Sequence, residues 1–374
     1  MHLLLAPDKF RGTLAARQAA EAFETGWRRG RPGDTYDMAP LADGGEGTLE
    51  ALVDALGGTI VGAQVTGPLG EPVDAEFGIA DGPAGRLAVV EMARASGLSL
   101  LSRSRRDPGR ASTFGTGELI LRALDHHPDR LVVCIGGSAT NDGGAGMAQA
   151  LGARLYDGSG DSIEPGGGSL VNLAGIDISH LDPRLRGVKV MVASDVDNPL
   201  CGPAGASATY GPQKGASPDA VRSLDQGLAH LAAIARRDLD IDLKDEPGAG
   251  AAGGLGFGLM AFCGAHLRPG IDVVMEAVGL AQRLARSDLV VTGEGKVDQQ
   301  SLHGKVPAGV LRLAGESEVP VYIVCGVAEV TPPGAAVWSL AERFGLDRAL
   351  GDARGCITEL AEELATRFRE PGAS

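Results

Sequence analysis

Positive charge, cysteine and long apolar runs are all scarce in this sequence. Its 34 lysines and arginines face 48 acids, giving a net charge of −14 over 374 residues. A surface with that bias repels phosphate backbones and anionic headgroups, so neither a nucleic-acid nor a membrane partner is expected. The five cysteines, Cys134, Cys201, Cys263, Cys325 and Cys356, are odd in number and widely spaced, which excludes a disulfide framework and a zinc ribbon. No stretch reaches the ~18 consecutive apolar residues of a membrane span. The run Leu3 to Ala6 meets Pro7, Asp8 and Lys9 at once, too short for a signal-peptide core and without a basic leader. A reducing cytoplasm is the expected location.

Several catalytic signatures are missing as well. The glycine-lysine pairs at 295–296 and 304–305 are each followed by valine, so there is no Walker A loop. HExxH, CxxC, GxSxG and the protein-kinase signatures are also absent. A GxGxxG occurs at Gly248, Gly250 and Gly253, but LKDEP precedes it instead of a buried strand. A phosphate-binding helix start and close helix packing are both open for that segment.

What the chain has in excess is glycine, 57 residues, about twice the usual ~7%. Glycine serves tight turns and backbone that must approach a ligand. Short apolar runs give way repeatedly to such turns and then to helical patterns, the rhythm of an α/β fold. Leu3 to Leu5 and Tyr36 to Pro40 read as strands near the start, and Leu289 to Val291, Val321 to Cys325 and Val337 to Leu340 near the end. Thr13 is the expected cap of a first helix carrying Ala15, Ala19, Ala22, Phe23 and Gly26 on one face. A second helix is expected over 46–56, and a long last one over 346–367. In the middle, Thr59 to Val65, Val73 to Ile79 and Leu87 to Glu91 are separated by tight turns and suggest antiparallel pairing. The expected domains are residues 1–60 with 275–374, and an insert over 61–274.

Five segments set glycines beside acids, amides or hydroxyls: DGGEGT (43–48), GGSATNDGGAG (136–146), SDVDNPLCG (194–202), GPQKG (211–215) and GEGKVDQQSLHGK (293–305). In the second, the strand Leu131 to Ile135 runs into Gly136, Gly137, Ser138, Thr140 and Asn141. N–H groups at such a strand-to-helix turn converge on an anion, and Asp142 could hold a divalent cation beside it. A turn merely capped by Asn141 and Asp142 is the alternative. Asp195 stands at another strand end, where a carboxylate can accept a hydroxyl proton or bind Mg²⁺. The last segment offers Gly293, Glu294, Gly295, Lys296, Asp298, His303 and Lys305, mixed charges that suit a phosphate with a metal. Asp43 and Glu46 fit either a ligand site or a helix cap.

Together the segments resemble the bacterial type I glycerate kinase family, through APDKFRGTL, LADGGEGT, VTGPLG, FGTGELI, IGGSATNDGGAGMAQALGA, SDVDNPL, GPQKGAS, PGAGAAGGLGFGLMAF and VVTGEGKVDQQSLHGKVP, in the family's order. The resemblance implies ATP-dependent phosphorylation of glycerate, with the 2-hydroxyl favoured over the 3-hydroxyl. It also implies a flavodoxin-like three-layer α/β/α parallel sheet plus an inserted mixed α/β domain, with the active site in the cleft between them. Two departures stand out. Lys9 and Arg11 occupy positions where APDSFKGSL is common, and VWSLAERFG matches the expected last strand only loosely.

Phosphoryl transfer needs the γ-phosphate, the acceptor hydroxyl and compensating charge held in line. Asp195 is the expected carboxylate at the hydroxyl, and Asp142 and Asp298 the expected Mg²⁺ or water-shell ligands. Lys214 and Lys296 would neutralise phosphate oxygens, and Arg11 would take the glycerate carboxylate. ATP would lie along Gly136, Gly137, Ser138, Thr140 and Asn141 and along Gly293, Glu294 and Gly295. A monomer or homodimer is expected. The alternatives are an NAD(P)-dependent oxidoreductase of a small hydroxy acid and a non-catalytic sensor of a small acid or nucleotide.

Overall fold

The computed structural model describes residues 1–368 except Arg11, Pro83 and His303, and the backbone alone of Gln300. The expectations for Arg11 and His303 therefore lie outside the described residues. Thirteen strands occur among those described. In chain order they are β1 (His2–Leu5), β2 (Thr35–Met38), β3 (Thr59–Thr66), β4 (Pro72–Gly82), β5 (Gly85–Glu91) and β6 (Arg130–Cys134). There follow β7 (Arg154–Asp157), β8 (Leu173–Asp177), β9 (Lys189–Ala193), β10 (His266–Arg268), β11 (Leu289–Val297), β12 (Val321–Ala328) and β13 (Ala335–Ser339). The chain separates into two compact units.

The first unit comprises Met1–Asp43, Glu50–Gly57 and the chain from Val274 onward. Its sheet has the order β13-β12-β11-β1-β2, with every pairing parallel. Leu3, Leu4, Leu289 and Val290 are wholly buried, the unbroken apolar run that a parallel strand covered on both faces requires. The helices Ala16–Gly30 and Ala353–Arg367 lie against one another, and a Cβ on Gly26 would run into the carbonyl of Thr358.

Two helix boundaries differ from expectation. The first helix begins at Ala16, and the N–H of Ala15 donates to Gln18 Oε1 at 3.1 Å. Thr13 instead closes a turn by donating its hydroxyl to the Phe10 carbonyl at 3.0 Å. The long last helix is two helices, Leu346–Gly351 and Ala353–Arg367. Asp352 separates them because its carboxylate accepts the N–H of Gly355 at 2.9 Å, which opens a new helix.

The second unit comprises Gly44–Leu49 and Gly58–Val273. Its six-stranded sheet has the order β10-β9-β6-β5-β4-β3. β3, β4 and β5 pair antiparallel, and from β5 onward the pairings through β6 and β9 to β10 are parallel. A separate hairpin, β7 with β8, completes it.

The GxGxxG segment resolves in favour of packing. Among the described residues no strand leads into Gly248, and the helix Ala251–Cys263 opens with a kinked first turn. A Cβ on Gly253, whose φ is +72°, would collide with the Thr140 carbonyl. On Gly254 it would lie 2.7 Å from Gly143 Cα, and on Gly258 2.8 Å from Gly144 Cα. These glycines let one backbone lie directly on another, and the oxidoreductase alternative loses the motif it rested on.

Candidate active site

In the second unit, β6 ends at Cys134 and the chain turns through 136–144 into the short helix Ala145–Ala150. Gly136 and Gly137 are exposed, and Gly137 takes a φ of +76° that glycine adopts without strain. The residues after them turn inward. Asp142 is wholly buried; its Oδ2 accepts from the Thr113 N–H at 2.8 Å, the Thr113 hydroxyl at 2.9 Å and the Gly146 N–H at 3.3 Å. Its Oδ1 accepts from the Gly144 N–H at 3.2 Å. Burial raises its pKa, and those donors oppose the shift. The four donors make Asp142 a knot inside the turn, where a metal ligand was expected.

Lys214 lies beneath the same turn. It is 2% exposed, and its Nζ donates to Ser138 Oγ and to the Thr140 carbonyl, each at 2.7 Å. Burial pushes its pKa down to about 7, with the Asp142 charge opposing. Asn141 donates to Ser207 Oγ at 2.8 Å. Ser138, Thr140 and Asn141 are thus buried members of a polar network, and only Gly136 and Gly137 of this expected cofactor loop are exposed. Two acceptors in the network, Thr140 Oγ1 and Asn141 Oδ1, are buried without a hydrogen-bond partner.

Gly136 and Gly137 help line a cavity of about 920 Å³ whose described lining lies wholly in this unit. Glu91, at the end of β5, forms part of its wall. Glu91 Oε1 accepts the N–H groups of Gly47 at 3.0 Å and Leu49 at 3.1 Å, while Arg94 donates to Oε2 at 3.0 Å. The opening turn of the helix Thr48–Leu56, for which Asp43 was a candidate cap, is therefore held by Glu91. Asp195 stands two residues beyond β9, exposed, with Oδ1 accepting the Gly270 N–H at 2.9 Å.

The first unit carries a different cluster at the carboxyl ends of its strands. Asp8, three residues past β1, is 8% exposed; its N–H donates to the Gly293 carbonyl at 2.8 Å and its Oδ1 accepts the Lys9 N–H at 2.6 Å. Burial pushes its carboxyl up to about 7, and the charges of Asp43 and Glu294 add to the shift. Glu294, on β11, is also buried and shifted upward by burial, with Ser301 and Lys305 opposing. Its Oε1 has no hydrogen-bond partner, and Lys305 Nζ lies 3.8 Å from Oε2.

Two expected residues of this segment, Lys296 and Gly293, take other places. Lys296 is exposed and pairs with Glu329 at 2.9 Å. Gly293 is buried where a Cβ would collide with the Val324 carbonyl, so its missing side chain serves the β11–β12 pairing. Asp298 and Ser301 bond one another, the Asp298 N–H donating to the hydroxyl at 3.1 Å and the Ser301 N–H to Oδ1 at 3.3 Å. Gly295 is half-buried on β11 beside Glu294.

Asp8 escaped the sequence reading, although its place just past a first strand is where ligands gather in open α/β sheets. Thr113 and Glu91 left no local signal, since each acts on a distant turn. Among the described residues no three His, Cys, Asp or Glu side chains form a ready metal cage. Mg²⁺ rarely needs one, because it keeps waters and shares phosphate oxygens with one or two carboxylates. The orphaned Oε1 of Glu294 and the mutually repelling charges of Asp8, Asp43 and Glu294 suit such a cation.

Known proteins resemble this chain along nearly its whole length. The model of the Glycerate kinase family matches residues 3–369. Glycerate kinase of Bacillus subtilis (strain 168) is 54% identical over 99% of this chain and 95% of its own. Glycerate 2-kinase of Escherichia coli (strain K12) is 48% identical over 98% and 97% respectively. The crystal structure of "putative glycerate kinase 2" from Salmonella typhimurium LT2 superposes with a TM-score of 0.89 at 47% identity, covering 98% of this chain and 97% of that one. The class these likenesses define is a phosphotransferase with an alcohol group as acceptor. The chain belongs to the glycerate kinase family. No helix of the described residues is long and apolar enough to cross a membrane.

Proposed function

We propose that this protein transfers the γ-phosphoryl group of ATP, with Mg²⁺, to the 2-hydroxyl of glycerate. The observation that carries the reading is the pairing of family membership with buried acids at the strand ends of the first unit, Asp8 among them with a carboxyl near 7. The 2-position follows the name of the Escherichia coli relative.

The roles are assigned unit by unit. In the first, Asp8, Asp43 and Glu294 would hold Mg²⁺, with Asp298 beside them and Lys305 as the phosphate-neutralising cation. When bound, the ion supplies charge compensation at phosphate oxygens. In the second, the exposed Gly136–Gly137 backbone receives the phosphate chain, while Asp142 and Lys214 set the shape of that turn. Asp195 accepts the proton of the attacking hydroxyl. A cytoplasmic monomer or homodimer belongs to the same reading.

Incubation with ATP, Mg²⁺ and glycerate, followed by phosphorus NMR, tests it. Appearance of 2-phosphoglycerate is expected; 3-phosphoglycerate would overturn the position, and no phosphoglycerate at all would overturn the activity. The Asp195→Asn enzyme should lose about 10²-fold in kcat with its Tm unchanged, and equal turnover would remove Asp195 from the proton-accepting role.

A further inference from the structure

In a chain poor in positive charge, four arginines fall between positions 103 and 110. Three of them, Arg105, Arg106 and Arg110, line a second cavity of about 720 Å³ in the second unit. Small-molecule sites span ~300–1,000 Å³, so its size suits one. It shares no described lining residue with the cavity at Gly136 and Gly137. The apolar cluster of Leu101, Ala111 and Ala139 receives Leu69 from one lining and Leu98 from the other, and so partitions the two.

The loop that carries the arginines is held from both sides. The Gly168 N–H donates to the Gly109 carbonyl at 2.8 Å. Gly215, with a φ of +99°, comes so near that a Cβ on it would lie 2.7 Å from the Arg106 carbonyl oxygen. Arg106 Nη1 donates to the Gln213 carbonyl at 3.2 Å. A loop ordered in advance presents its charges without the entropy cost of ordering them on binding.

Those charges are not balanced from within. Arg105 pairs with Glu71, but among the described residues neither Arg106 nor Arg110 pairs with an acid, and Arg106 Nε is buried with no hydrogen-bond partner. Asp107, the acid of the described lining, accepts the Gly109 N–H at 3.0 Å. Ser217 and Ser223 add hydroxyls, and Ser217 opens the 22-residue helix Pro218–Leu239, whose dipole is positive at that end. Two guanidiniums without a carboxylate call for a dianion, and their forked donors match phosphate oxygens. A phosphate monoester supplies about two charges and, unlike the free ion, an organic body to fill the remaining volume.

We infer that this cavity binds a phosphate monoester of a small organic molecule as an effector, apart from the reacting centre. The route inward is short. Arg106 holds the Gln213 carbonyl, and the next residue, Lys214, ties the turn at 136–144 through Ser138 and Thr140. A ligand that draws on Arg106 therefore pulls on the support beneath Gly136 and Gly137.

Arg110→Glu tests the site, because Arg110 is exposed and the main-chain bonds of its loop survive the change. Calorimetric titration of the full chain with glycerol 3-phosphate should show a binding event that Arg110→Glu weakens about ten-fold or more, with Tm unchanged. Inorganic phosphate should bind about three-fold more weakly than the ester, and malonate, a dicarboxylate, more weakly still. Unchanged affinity in Arg110→Glu would overturn the site, equal affinity for free phosphate would overturn the monoester, and tighter binding of malonate would overturn phosphate as the recognised group. In steady state, added glycerol 3-phosphate should shift kcat or KM of the wild type about two-fold or more and leave Arg110→Glu unmoved. No shift in the wild type, or one that persists in the variant, would overturn the effector role. The calorimetry needs no turnover, so the site stands or falls independently of the proposed reaction.

Discussion

The turn after β6 and the acids beyond β1 and on β11 use the same ingredients, small residues and carboxylates at strand ends, to opposite effect. Asp142 has four donors and its turn is tied from below by Lys214. Glu294 has a buried oxygen with no partner, and Asp8 is held among like charges. A carboxylate whose donors are all supplied by its own chain fixes a shape. One left short of donors in a buried place is poised for something the chain does not contain.

Four substitutions would break or sharpen this contrast. The largest effect is expected from Asp142→Ala, which strands the N–H groups of Thr113, Gly144 and Gly146 in the interior. Denaturant titration should register a loss of about 3 kcal/mol or more, and a stability near that of the wild type would mean the knot is dispensable. Glu294→Gln should behave in the reverse way, with kcat down about 10²-fold and Tm unchanged or higher, because a buried charge in a repelling cluster has been removed. A variant that retained wild-type kcat would take the acid cluster out of the chemistry.

Lys214 gives a pH signature. Folding favours its neutral amine, so the unfolded chain binds more protons between about pH 7 and the ordinary lysine value of 10.5. Stability therefore rises with pH across that window, by up to about 1.4 kcal/mol per unit, and Lys214→Met should flatten the rise. Parallel curves for the two proteins would contradict the burial of the charge. The smallest effect belongs to Lys296→Ala. As an exposed partner of Glu329 it should change kcat and Tm little, an exposed ion pair contributing about 0–1 kcal/mol. A ten-fold fall in kcat would restore it to the phosphate-binding role its position in the segment first suggested.

How much of this was legible beforehand follows from the range of each interaction. The three inner strands of the first sheet announce themselves as apolar runs such as Leu3 to Leu5 and Val321 to Cys325, since parallel strands are buried on both faces. The glycine turns at 136–137 were equally plain. Which way an acid points was not, because Asp142 and Thr113 are 29 positions apart and no local pattern shows that they meet. The helix break at Asp352 hides inside a sequence with helical character on both sides, and only the capping bond to Gly355 reveals it. Asp8 looked like part of a turn, and its raised carboxyl arises from burial together with Asp43 and Glu294, groups that the fold alone assembles.

The seam of Gly253, Gly254 and Gly258 against Thr140, Gly143 and Gly144 has a mechanical corollary. Where main chain rests on main chain there is no rotamer to yield and little slack to absorb a push. The loop that opens with Gly136 and Gly137 therefore borrows its stiffness from the helix Ala251–Cys263, and a disturbance anywhere along that helix would be felt at the loop as displacement, undamped.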